Sequence, residues 1–155
     1  MKNRLFPALF CLILLGCLTL AGAALADQTV NLPESSWSLL LPDGMTYDPP
    51  LEGEDCLFAW VSDTLEMDVF RYPAGKATLR EVAEQLVSAG QEAELRNVSG
   101  VEMLCYRAVD TSLDQAPCIG YAMREGESII EICFWYATQE AGDLTEQIIS
   151  SISQR

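Results

Sequence analysis

The chain contains no histidine, and that absence removes most familiar catalytic chemistry. Ser-His-Asp and Cys-His activation of a nucleophile both need an imidazole base, and histidine-ligated metals fall with them. A serine–lysine pair would have to use Lys76, which sits in a Gly-Lys loop beside a helix cap with no serine marked as its partner. It reads as a solvated loop residue. Paired carboxylates are the chemistry that composition still permits. Glycoside hydrolysis holds two of them across a cleft, one kept protonated by apolar surroundings. Glu131 is the acid embedded in an apolar strand, between Ile130 and Ile132. The plainer expectation is that it meets a solvent edge or pairs with Arg107 or Arg124. Glu52, Glu54 and Asp55 offer oxygen ligands to a hard cation, but at a spacing that matches no calcium loop. No cofactor motif occurs, so no cofactor is expected.

Phe134, Trp135 and Tyr136 could suggest an aromatic platform, yet consecutive strand residues point to opposite faces. Trp135 is better placed by packing beside Gly120 and Ala122, whose small size leaves room for a helix or a large ring. Glu131 and Trp135 together mark the one candidate surface. Beyond the leader stand Cys56, Cys105, Cys118 and Cys133. None forms C-x-x-C, which sets aside zinc and thioredoxin-like redox chemistry. With Glu125-Gly126 as a two-residue turn, Cys118 lies directly opposite Cys133 on one face, a candidate disulfide outside the cytosol. A three-residue loop would put the two on opposite faces, and free buried thiols are the alternative to any bond.

Residues 1–26 read as a cleavable signal peptide. Met1-Lys2-Asn3-Arg4 is a basic head, Leu5 to Leu20 an apolar middle, and Ala24-Leu25-Ala26 a small-residue exit before polar Asp27. A retained anchor is one alternative, and Leu14-Leu15-Gly16-Cys17 offers another, a lipobox with Cys17 lipidated. After cleavage no membrane span is expected. The net charge of −14 becomes more negative once Lys2 and Arg4 leave. Such a surface repels nucleic-acid phosphates and anionic headgroups and favours cationic partners. Asn97-Val98-Ser99 fits an N-glycosylation pattern, which beside a bacterial-style leader reads as chance.

Residues 27–155 form one domain, long enough for a core without staples. The elements expected are a strand over 36–41 ended by Pro42-Asp43-Gly44, and two strands over 56–72 turning at Ser62-Asp63. A helix follows, opened by the capping box Thr78-Leu79-Arg80-Glu81 and stopped by Gly90. Next come strands over 92–98, near an edge, and 102–109. A hairpin over 117–136 has its last strand covered on both faces, and a helix over 139–153 closes the chain. The fold class is therefore α+β, a mostly antiparallel sheet of about six or seven strands in an α/β/α sandwich.

This layout resembles the PsbP-like fold group, which includes the extrinsic photosystem protein and small exported bacterial proteins. The resemblance is carried by Trp37-Ser38-Leu39-Leu40-Leu41-Pro42, the capped Thr78–Gly90 helix after the third strand, and the terminal helix ending near Ile152. It implies an accessory or binding role, and no functional residue of that group has a matching motif here. The function expected is a non-catalytic, exported accessory or binding module, secreted, periplasmic or at the cell surface. Its partner would be a protein or small molecule outside the cytoplasm. A small carboxylate hydrolase and a structural domain of an envelope assembly are the alternatives.

Overall fold

The computed structural model describes residues 27–50, 56–109 and 117–155. The leader, Cys17 and the acidic loop residues Glu52 to Asp55 lie outside them. Among the described residues ten strands and two helices follow in the order β1 Gln28–Asn31, β2 Trp37–Leu41, β3 Thr46–Asp48, β4 Cys56–Val61, β5 Leu65–Pro73, α1 Leu79–Ser88, β6 Glu92–Val98, β7 Val101–Val109, β8 Pro117–Glu125, β9 Ser128–Tyr136, α2 Gln139–Ser150 and β10 Ser153–Gln154. Seven strands make one antiparallel sheet in the order β3-β4-β5-β9-β8-β7-β6, and β1-β2-β10 make a second. The strand over 37–41 therefore belongs to a small sheet of its own, closed by the chain terminus.

Alternation along each strand sorts the large sheet into two faces. On one, Met67, Met103, Tyr121, Met123, Ile130, Ile132 and Phe134 are almost wholly buried against Leu39 and Leu41 of the small sheet and Ile148 and Ile149 of α2. On the other, α1 covers the β6–β8 half through Ala83, over Leu104 and Ala122. The sandwich is thus helix, sheet, then helix with small sheet. β9 lies at its centre and β6 at an edge, as alternating charge in β6 and doubly apolar β9 imply.

Local chemistry accounts for the helix ends. The Thr78 side chain accepts from the Glu81 amide at 3.2 Å, and Glu81 Oε2 accepts from the Thr78 amide at 2.7 Å. At the other end Gly90 takes φ +83, so that Gln91 N–H reaches Leu86 C=O and Gly90 N–H reaches Val87 C=O. The helix over 139–153 proves shorter, ending at Ser150, because Ser153 and Gln154 turn away to pair with β2.

Two hairpin turns fall one residue later than the sequence reading places them. Val61 pairs with Glu66 and Ser62 N–H donates to Leu65 C=O, which makes Asp63-Thr64 the turn. Ser62 flanks it, accepting the Leu65 amide on its hydroxyl at 3.1 Å. Likewise Glu125 pairs with Ser128, so Gly126-Glu127 is the turn, with Gly126 at φ +60. Glycine at the first central position is the type II′ arrangement, whereas Glu125-Gly126 would have put a glutamate there. Each register moves by two residues. Phe58 faces Val69, Trp60 faces Met67, Cys118 faces Trp135 and Cys133 faces Gly120. A two-residue shift keeps every side chain on its face while changing its partner.

A charged clamp holds α2 to the β6 edge. Arg96 donates to both Glu146 oxygens at 2.9 and 3.1 Å, and Tyr121 Oη donates to Glu146 Oε1 at 3.0 Å. The Arg96 bonds, then Tyr121, hold the Glu146 carboxyl below its usual pKa of 4.5 against the opposing pull of burial. A group with a lowered folded-state pKa stabilises above its unfolded value, and loses that contribution as pH falls through the folded one. Glu146→Gln is therefore expected to cost about 1 kcal/mol at neutral pH, a figure scaled to a half-exposed pair. Urea titrations at neutral and acid pH should show the variant's deficit shrinking on acidification. A deficit independent of pH would show that the carboxylate's charge is not what the clamp uses.

Candidate functional site

The helix-covered face is incompletely filled, and the reason is visible in α1. Of its apolar stripe only Ala83 is buried outright, while Leu79, Val82 and Leu86 are half-buried. They pack on the sheet and wall one side of a half-open cavity of about 370 Å³. Leu104, Ala122 and Ile129 form the floor, and Tyr72, Gly75 and Ala77 close one side. Tyr106 and Glu131 stand at its polar end. A largely apolar hollow of this size with a few convergent polar groups is what a small-molecule site looks like.

The polar end is built by close packing. Tyr106 lies opposite Gly120 across the β7–β8 ladder. A Cβ on Gly120 would overlap the Tyr106 ring, so only glycine lets the ring lie flat over β8. From there Tyr106 Oη donates to Glu131 Oε1 at 2.5 Å and touches Cys133 Sγ at 3.5 Å. Burial, together with Cys133 and Glu131, drives the phenol's pKa upward, so it stays protonated and donating. Glu131 thus pairs with Tyr106 and not with an arginine. Arg107 reaches Glu92 at 4.0 Å, and Arg124 Nε donates to Gly126 C=O. Tyr106 is the residue that sequence reading missed, and the glycine opposite it was the available signal.

The other candidate residues lie farther along the same face. Trp135 is half-buried beside Cys118, and its indole N–H donates to Asp68 Oδ2 at 3.0 Å. It does not line the cavity, so Glu131 and Trp135 share a face but not a site. Cys118 and Cys133 are buried thiols placed diagonally across β8 and β9, a correction to the directly opposite placement that follows from the shifted turn. The nearness of Cys118, with burial added, pushes the Cys133 thiol up. Lys76 is exposed in the loop leading into α1.

Two carboxylates across a cleft are not found at the cavity, where Glu131 is the single acid in the lining. Glu66 and Asp68 stand side by side on one strand face, and desolvation followed by the charges of Asp68 and Asp48 raises the Glu66 pKa. They share an open sheet surface, not a cleft. Among the described residues no cluster of His, Cys, Asp or Glu could hold a metal ion. Nor is any helix among them long and apolar enough to cross a membrane.

Comparison with known proteins adds the fold. No family model matches the chain, and no curated protein does. The solution structure of cyanobacterial PsbP (CyanoP) from Synechocystis superposes with a TM-score of 0.61 at 11% identity, covering 87% of this chain and 96% of that one. The chain has a PsbP-like fold. A crystal structure from Bacteroides thetaiotaomicron matches this PsbP-like domain with a TM-score of 0.58 at 13% identity. It covers 83% of this chain, which spans about half (48%) of the Bacteroides one. At such identities the likeness concerns the PsbP-like architecture alone, and the cavity has to be read from its own residues.

Proposed function

We propose that this protein is an exported, non-catalytic binding module whose ligand site is the cavity between α1 and the large sheet. The observation that carries the reading is the cavity itself, a hollow of about 370 Å³ with apolar walls and one carboxylate. It suits binding, because a hollow with a single acid offers a place to hold a molecule and no acid–base pair to transform it. A PsbP-like fold agrees with an accessory role, and the signal-like leader agrees with export. The experiment is native mass spectrometry of the purified protein incubated with a small-molecule extract of the cell envelope. A retained small molecule, released unchanged on denaturation, is the expected result. Release of a chemically altered molecule with turnover would favour the hydrolase.

The same reading proposes cleavage before Asp27 and, where thiols are oxidised, a bond between Cys118 and Cys133. Diagonal neighbours lie about 7–8 Å apart, their Cβ atoms somewhat less, against the Cβ separation of about 3.5–4.5 Å that a disulfide needs. The two thiols are free and diagonal, so β8 and β9 must draw together locally to join them. Peptide mapping of the unreduced exported protein checks both expectations. An Asp27 terminus and a Cys118–Cys133 peptide would agree with them. A lipidated Cys17, or Cys118 joined to Cys56 or Cys105, would overturn them.

A further inference from the structure

The polar end of the cavity is built around a single carboxylate, Glu131. Tyr106 has committed its proton to Glu131 Oε1. Glu131 Oε2 receives no hydrogen bond or ion pair from any described residue. Lys76, in the loop at the cavity rim, is exposed and is not ion-paired to it. A half-buried carboxylate with one oxygen bonded to Tyr106 and the other open to solvent is best matched by a donor that also carries positive charge. An anion would meet like charge at the same point, within a chain of net charge −14. The walls ask for the opposite chemistry, since Val82, Leu86, Leu104 and Ile129 present only hydrocarbon.

We infer that the cavity binds a small amphipathic cation, an ammonium group on Glu131 with an aliphatic or aromatic body beside α1. The inference rests on the binding-module reading and specifies its ligand class. Glu131 holds the head, Tyr106 orients Glu131, and Gly120 makes room for Tyr106. Neutral molecules of the same shape should enter but bind more weakly, because they leave the carboxylate without its counter-charge.

Isothermal calorimetry on the purified protein with 2-phenylethylammonium, 2-phenylethanol and 3-phenylpropionate tests this. The ammonium should bind about ten-fold or more tighter than the alcohol, the worth of one charge-assisted hydrogen bond. The carboxylate should bind weakest. Glu131→Gln keeps an acceptor for Tyr106, so the fold is retained, and it should bring ammonium and alcohol to near-equal affinity by weakening the ammonium alone. Val82→Trp, which fills the hollow from its α1 wall, should abolish both. Equal binding of ammonium and alcohol to the unaltered protein would overturn the cation assignment while leaving a ligand site in place. Failure of all three probes to bind would overturn the site itself, and the binding-module reading with it.

Discussion

Phe134→Ala is expected to lower the unfolding free energy by about 3–5 kcal/mol. Phe134 sits on β9, the middle strand of the large sheet, with no surface left accessible. Its ring meets Tyr121 edge-on, with centroids 6.0 Å apart and planes at 81°. On the same face it pairs with Met67 on β5 and Ile119 on β8, beneath the small sheet and α2. Strands on both sides prevent collapse into the hole, so the transfer cost and the cavity cost both apply. Domains of this size are stable by about 5–15 kcal/mol, so the variant should lose a substantial share of the total. Urea denaturation measures it, as a fall in midpoint at an unchanged slope. A loss below about 1 kcal/mol would mean that the core is not centred on β9.

The second large effect belongs to the smallest residue. Gly120→Ala is expected to cost about 2–4 kcal/mol, combining overpacking with a lost charged hydrogen bond. The new methyl would occupy the space of the Tyr106 ring. The ring can escape only by swinging off β8, which breaks its 2.5 Å bond to Glu131 and alters the polar end of the cavity. A double-mutant cycle separates this from any intrinsic preference for glycine. In a Tyr106→Ala background most of the Gly120→Ala penalty should vanish. A penalty that persists unchanged would place the strain in the backbone and detach Gly120 from the site.

The two kinds of information in this sequence were unequally legible. Periodicity identified α1, the edge position of β6 and the burial of β9, because hydrophobic alternation is a one-dimensional record of which face meets the core. The helix caps were legible for a similar reason: Thr78, Glu81 and Gly90 act on backbone groups within a few residues. Register was less accessible. Ser62 and Gly126 both announce a turn, but whether Ser62 is flanking or central, and whether Gly126 is the first or second central residue, is decided by backbone conformation and hydroxyl bonding, and a one-residue difference moves Cys118 from Cys133 to Trp135. The site was least legible. Glu131 stood out as a charge in an apolar strand. Its partner Tyr106 comes from β7, at a sequence distance no local pattern spans. The cavity depends on where α1 settles, and Leu79, Val82 and Leu86 look equally apolar whether they seal the sheet fully or pack on it and leave a hollow alongside.

The hollow beside α1 is a ligand site and not a packing void on this reading of the fold. Amide chemical shifts of the purified, isotope-labelled protein titrated with 2-phenylethylammonium test it most directly. Saturable shifts are expected, concentrated at Val82, Leu86, Leu104, Tyr106, Ala122, Ile129 and Glu131, with saturation in Glu131→Gln moved to about ten-fold higher probe concentration. Shifts spread without saturation over the exposed acids, such as Glu92, Glu94, Glu102 and Glu127, would mean that the cation merely screens an acidic surface, and would contradict this reading.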